Sequence, residues 1–423
     1  MEYIEKDCGA FKLHLYKTDK FRTVSISLVF RRVIKKEDIT IRNVLTNMLL
    51  KSSKNYKSKR DLAIKAQELY SCEVSNQNYR LGNYIFSNIN MNVLNDKYTE
   101  EGNLEEAIKY LSELIFKPDV YNKKFNEKNL ELVKNNIGNN IVSLKEDSTK
   151  YSIVRLNEIF NSNSPISYRV CGYLEDLENI DGESLYKYYE SFINHDFLDI
   201  YVVGNVDNEI IKMIKKYFKF RTVKRRRVPY KLDKFRVRSR KLKGTESIDN
   251  SQSVISIMCP IGKLSDYEEK YVLPLYNYIL GGTADSKLFR EVREKNSLCY
   301  GISSNTNAFD GVMKIVSGID KSNYNKCITL IEEELQNMRW AKFTNKDINI
   351  AKEYYLTNLE EILESPSNII NDCLVSDLLK LDSIDKRREM ITKVKKSDIS
   401  KLAKKIKLDT IFYLEGLGGN NEE

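Results

Sequence analysis

The stretch "LTNMLLKSS" at residues 45–53 returns as "LYNYILGGT" at residues 275–283, with Leu45 answered by Leu275, Asn47 by Asn277 and Leu50 by Leu280. Both read as helix. Immediately downstream, "SCEVSNQNYRLGNYIFSNI" (71–89) lines up with "LCYGISSNTNAFDGVMKIVSGI" (298–319). Each is a pair of alternating runs joined by a Gly or Asp turn, the pattern of two antiparallel strands. Further out, each half closes with a helix leading into a strand, "YKYYESFINHDFLDIYVVGNV" (186–206) and "ISKLAKKIKLDTIFYLEGL" (399–417). The same order of elements twice predicts a tandem duplication. Strands at Thr23–Arg31 and Val254–Pro260 alternate with helices such as "NLEEAIKYLSELIF", where Leu104, Ile108, Leu111 and Ile115 form one apolar stripe. Hairpins imply antiparallel pairing, so the fold class expected is α+β: two tandem homologous domains, each a largely antiparallel sheet packed with helices.

The halves are divided by "RTVKRRRVPYKLDKFRVRSRKLKGT" at 221–245. It lacks helical periodicity and contains Val228-Pro229, so it reads as a basic linker between domains at 1–220 and 246–423. Twelve Lys or Arg against one Asp give this segment +11, and the chain's net charge is +9, so the remainder sums to −2. Such a local excess on a nearly neutral body argues against a nucleic-acid-binding face; a solvated linker is the expectation for Arg225–Arg227. With 423 residues, 41% of them hydrophobic, the chain can bury two or more cores. No stretch approaches the roughly 18 uncharged apolar residues of a membrane span, and the charged opening "MEYIEKDCGAFKLHLYKTDK" has no apolar signal region. The seven cysteines are odd in number and free of CxxC, which fits a reducing, cytoplasmic setting. The two histidines, His14 and His195, have no local metal-ligand spacing.

In "TIRNVLTNMLLKSS", Asn43, Thr46 and Asn47 stand at i, i+3 and i+4 and share one helix face. On spacing alone these are ordinary polar positions near a helix start. Their neighbourhood changes the weighting. "KLHLYKTDKFRTVSISLVF", "NVLTNMLLKSSKNYKSKRDLAIKAQELYSCEVSNQ", "PISYRVCGYLEDLENIDGESLYKYYESFINHDFLDIYVVGNVD" and "LGGTADSKLFREVREKNSLCYGISS" together resemble the insulinase-like, or pitrilysin-type, peptidases, in the branch that holds the mitochondrial processing peptidase. The TDKF run and "ELYSC" are similar to that family's YmfF group, bacterial proteins commonly paired with a second family member.

The resemblance implies a zinc motif HxxEH, followed by a distant acidic ligand, with the inner Glu as the base that activates water. Aligned through "MLLKSS", this chain has Asn43, Thr46 and Asn47 at the two histidines and the base, and "LVKNNIGNN" places Asn135 and Asn136 at the distal ligand. Neutral amides hold zinc too weakly to replace imidazole and carboxylate, so no cofactor is expected in this chain. Arg293 and Tyr300, by contrast, match the residues that the family's second half brings to the same cleft, where a guanidinium and a phenol can stabilise an oxyanion. Without that resemblance they read as a solvated helix-end Arg and a half-buried strand Tyr. The family's two-chain members imply zinc on a partner subunit, a heterodimer with a zinc-bearing paralogue, and an extended peptide added to the strands near Asn78 and Asn305.

Gly281-Gly282 precedes a helix, but no GxxxxGK[ST] accompanies it, so a tight turn is preferred to a phosphate cradle. Cys299 lacks a nearby His and reads as a packed strand residue. The expected function is the non-zinc subunit of a two-chain peptidase, with no hydrolysis by this chain alone. The alternatives are a catalytically inactive peptide-binding or scaffolding homologue, a homodimer, and a binder of RNA or membrane surface through 221–245.

Overall fold

A computed structural model describes residues 2–222, 228–233, 235 and 237–418. The basic run Arg225–Arg227 lies outside them. The chain divides into two compact units. The first comprises Met1–Val142, Arg169–Pro229 and Glu364–Leu374; the second comprises Ser143–Tyr168, Tyr230–Leu363 and Val375–Glu423. The sequence places one division at the linker, whereas two segments are counted with the other half's unit.

In chain order the first half contains β1 (Glu2–Asp7), β2 (Lys12–Lys17), β3 (Thr23–Val33), α1 (Ile39–Leu49), α2 (Lys59–Glu68), β4 (Glu73–Leu81), β5 (Tyr84–Leu94) and α3 (Asn103–Phe116). There follow β6 (Val120–Tyr121), β7 (Lys124–Phe125), α4 (Glu127–Val142), α5 (Ser148–Phe160), α6 (Leu174–Leu177), α7 (Gly182–His195), β8 (Phe197–Gly204) and α8 (Glu209–Tyr217). The first sheet has the order β1-β2-β8-β3-β5-β4, antiparallel throughout except for β2 beside β8. Alternation sorts β3: Val24, Ile26, Leu28 and Phe30 enter the helix-packed core, while Ser25 and Ser27 take the opposite face. The α3 stripe Leu104, Ile108, Leu111 and Ile115 is buried in that same core. A capping box of Ser58 and Asp61 starts α2.

The second half contains β9 (Leu242–Ile248), β10 (Ser253–Pro260), α9 (Leu273–Asn277), β11 (Cys299–Asn307), β12 (Val312–Ile319), α10 (Tyr324–Arg339), α11 (Asn345–Glu361), α12 (Pro366–Leu379), α13 (Ile384–Thr392), α14 (Lys396–Ala403) and β13 (Thr410–Gly416). Wider, π-type turns extend α9 at Glu268–Val272 and Tyr278–Gly282 and form a separate helix at Phe289–Lys295. The second sheet runs β11-β12-β10-β13-β9, with β13 and β9 its parallel pair. Chain order and pairing repeat those of β4-β5-β3-β8-β2, so the duplication read from sequence is visible as topology. The first four residues of β9 fall within the stretch read as linker.

One face of this sheet packs Ile255, Ile257, Met313, Ile315 and Ile411 under helices. The other is also apolar: Val254, Met258, Phe412 and Leu414 bury against Leu156 and Phe160 of α5, and Ser152 bonds Ser256 across it at 2.6 Å. That packing explains why Ser143–Tyr168 counts with the second unit. No helix among the described residues is long and apolar enough to cross a membrane.

Candidate functional site

On the face of α1 that carries Asn43, Thr46 and Asn47, the first two are tied into hydrogen bonds within the first unit, while Asn47 is exposed. Asn43 Nδ2 donates to the carbonyls of Ile39 (3.2 Å) and Val170 (2.6 Å), and Asn47 Nδ2 donates to the Asn43 carbonyl (2.8 Å). Thr46, fully buried, donates to the Arg42 carbonyl at 3.1 Å. From β4, Asn78 Nδ2 donates to Asn43 Oδ1 and Thr46 Oγ1, both at 2.8 Å, and Asn76 Nδ2 donates to Thr46 Oγ1 at 3.1 Å. Ser87 completes the set by donating to Asn78 Oδ1, and Arg42 Nε donates to Ser87 at 2.7 Å. Two amides from β4 therefore aim N–H donors at Asn43 and Thr46, where ligand lone pairs would have to converge. Such a donor set does not fit zinc. Among the described residues no group of three or more His, Cys, Asp or Glu could hold a metal ion. Asn135 and Asn136 lie on the exposed side of α4. Asn78 thus has its side chain spent on α1.

In the second unit, Gly281 and Gly282 form the last turn of the helix through α9. Space, not backbone angle, demands glycine here: a Cβ at Gly281 would meet Ser304 Oγ at 2.8 Å and Leu288 Cδ1 at 2.9 Å, and one at Gly282 would meet Asn277 Nδ2 at 2.6 Å. Ser304 Oγ in turn donates to Asn277 Oδ1 at 2.8 Å, tying β11 to the helix. Arg293 and Tyr300 are both exposed, Tyr300 at 68%. The Arg293 guanidinium lies 4.6 Å from the centre of the Phe289 ring and makes no hydrogen bond or ion pair with another described residue. It is near enough to Cys299 to oppose the burial that raises that thiol's pKa. Phe289 and Asn305 line a groove of about 590 Å³ that also takes in Gly301, Lys314 and, from α5, Thr149. Asn305 projects into this groove, whereas Asn78 faces the helix side of its own sheet.

The sequence reading passed over two clusters, both on the second face of the first sheet. His14, buried on β2, has Nδ1 2.8 Å from the Tyr3 hydroxyl and Nε2 3.9 Å from Asp199 Oδ1, and stacks on Tyr201 with ring centres 4.4 Å apart. Asp199 is paired with Arg31, and its carboxyl is held low by that guanidinium and by His14 in spite of its burial. At the other end of this face stand Ser25, Ser27, Asn88, Asn90 and Asn92, edging a groove of about 870 Å³. The alternation "NINMN" at 88–92 is the signal that could have pointed to it.

Residues 179–355 match the family described as "Peptidase M16 inactive domain". The chain is 29% identical to "Probable inactive metalloprotease YmfF" of Bacillus subtilis (strain 168), over 97% of each sequence. It is 24% identical to "Uncharacterized zinc protease YmxG" of the same strain, over 62% of this chain and 65% of that one. Its fold superposes on a conserved protein of Enterococcus faecalis V583 with a TM-score of 0.89 and 27% identity, covering 99% of this chain and 100% of the other.

Proposed function

This chain is an M16 peptidase homologue of the inactive, YmfF-like kind, and from that premise we propose that it is the zinc-free subunit of a two-chain metallopeptidase. It lends Arg293 and Tyr300 to a site whose metal a paralogous partner holds. The observation that carries this reading is the contrast between the two units: α1 offers amides and a hydroxyl, Asn43 and Thr46 bonded to Asn78, while Arg293 and Tyr300 stand exposed and Arg293 has no ion pair among the described residues. A guanidinium resting on an aromatic ring at the surface keeps its N–H donors available. In a peptide's tetrahedral intermediate those donors and the phenol would bond the oxygen that gains charge. The exposed edge of β11, which pairs only with β12 among the described residues, leaves main-chain groups open to an extended substrate beside Asn305. One strain of Bacillus subtilis carries both a relative described as inactive and one described as a zinc protease, which supports a pair in one organism.

The test is hydrolysis of an unstructured peptide mixture by this chain, by the co-encoded zinc-bearing paralogue, and by the two together. Only the pair should cleave. Arg293→Ala should lower its kcat/KM about 100-fold, and Tyr300→Phe should also impair it. A paralogue that cleaves as fast alone as in the pair would sink the proposal. It would leave a peptide-binding or scaffolding homologue, or a homodimer, the reading that the word "inactive" in the relative's description favours.

A further inference from the structure

Along β3, β5 and β4 the second face of the first sheet is polar where its counterpart in the second sheet is apolar, although α12 also reaches this side with buried Ile370 and Leu374. In the second unit that face is filled by Val254, Met258, Phe412 and Leu414 under α5. In the first it carries three rungs across β3, β5 and β4: Ser25, Asn92 and Glu73; Ser27, Asn90 and Ser75; Val29, Asn88 and Gln77. The fold is therefore compatible with an apolar filling here, and this chain has amides instead.

The asparagines are oriented. Ser25 Oγ donates to Asn92 Oδ1 at 2.5 Å, Ser27 Oγ to Asn90 Oδ1 at 2.6 Å, and the Tyr79 hydroxyl to Asn88 Oδ1 at 3.3 Å. Each carboxamide oxygen is thus engaged, and none of the three Nδ2 groups has a hydrogen-bond partner among the described residues. Successive asparagines on β5 are two residues apart, about 6.8 Å, which is the two-residue repeat of any extended polypeptide. A side-chain amide has the donor and acceptor of a peptide group, so a row of them at this spacing is commensurate with the carbonyls of a strand-like chain lying parallel to β5. We infer that the Asn88–Asn90–Asn92 ladder binds the main chain of an extended, uncharged peptide segment, on the sheet face turned away from α1. The groove along the ladder has about 870 Å³, a size that suits a ligand site. Glu73 is the one charged side chain among the described residues that line it, in a chain whose composition is 30% charged. Burying an unpaired Lys or Glu of the ligand there would be costly, so small and uncharged residues are selected. Ile370 and Leu374 offer an aliphatic wall to their methyl groups. The ligand class rests on the reading of this chain as a peptide-handling subunit; the location does not, because no residue of the ladder belongs to the Arg293–Tyr300 site.

Fluorescence anisotropy with the full chain alone, no partner and no zinc present, tests this. The probe is a fluorescein-labelled peptide of mixed Gly, Ser, Thr and Val, set against a version with alternating Glu and Lys. The neutral probe should bind more tightly, and Asn90→Asp should weaken it at least tenfold, since the isosteric carboxylate keeps the Ser27 bond but replaces donors by acceptors. Asn92→Asp should act likewise, with circular dichroism and melting temperature unchanged. Arg293→Ala should leave this binding intact. Equal binding of the neutral probe to wild type and Asn90→Asp, equal binding of the charged probe, no binding at all, or displacement of the probe by a neutral maltodextrin would each overturn the inference. None of these outcomes touches the Arg293 proposal, which is read from cleavage by the pair.

Discussion

His14 keeps a proton that its burial works to remove. Desolvation pulls the imidazole pKa down, but the Asp199 carboxylate and the Cys373 thiol outweigh it and raise the value to about 9. At 3.9 Å the contact with Asp199 is an ion pair rather than a hydrogen bond, and Glu5 stands at the same distance on the Nδ1 side. A histidine whose folded pKa lies above its unfolded one, near 6.5, stabilises the fold fully below that lower value and loses the contribution as pH rises through about 9. The melting temperature should therefore fall between about pH 7 and pH 10, and His14→Gln should flatten that part of the profile; an unchanged slope in the variant would show that another group is responsible. In the sequence His14 is one of two histidines without a ligand motif. What gives it a role is Asp199, which the parallel pairing of β2 with β8 places one strand away, and spacing along a chain does not encode that.

Helix and hairpin register decide more at the next scale. The helix through α9 can approach β11 because Gly281 has no side chain there. Gly281→Ala should cost about 1–3 kcal/mol in urea denaturation, since Ser304 and Leu288 must both shift, while Gly301→Ala, with nothing within 4 Å of its added methyl, should be nearly neutral. Equal effects would remove the packing explanation. The elements of both halves were largely legible: the stripe of α3, the hairpins, and the helix–strand ends of each half appear as the periodicities require. Asn78 and Asn305 were not. Counting from the matched Cys72 and Cys299 makes them equivalents, but β11 bulges between Cys299 and Gly301, and one extra residue transfers every following side chain to the other face. Asn78 consequently turns to α1 and Asn305 to the groove. For α1 itself, the resemblance implied that Asn43, Thr46 and Asn47 are not metal ligands, and only the fold shows β4 supplying amides that bond Asn43 and Thr46.

Each unit of the whole chain has its own buried core, the second of them built on both faces of its sheet. Calorimetric unfolding should then depart from a single two-state transition. Arg42 offers a way to separate the components. It is fully buried, 2.7 Å from Asp196, with its guanidinium over Phe192, and Arg42→Met would leave that carboxylate to Arg32 alone. Removing one partner of such a pair costs about 3–5 kcal/mol, so one transition should drop by about 10 °C while the other holds its place. A uniform drop would mean that the units unfold together. The duplication behind this arrangement could be read because repeated elements keep their order. The counting of Ser143–Tyr168 and Glu364–Leu374 with the other half's unit could not, because it depends on which sheet face each segment covers.

The repeated topology also bears on synthesis at the ribosome. In each sheet the strand made last occupies an interior place: β8 between β2 and β3, and β13 between β9 and β10. Until residue 204 has emerged, β2 lacks its inner neighbour, and β9 and β10 wait for residues 410–416 in the same way. Each half must hold the facing edges of β2 and β3, or of β9 and β10, unpaired through most of its own translation, a long interval in which those edges are open to the wrong chain. The nascent protein is thus exposed to misassociation twice, and each time the danger ends only when a single central strand is delivered.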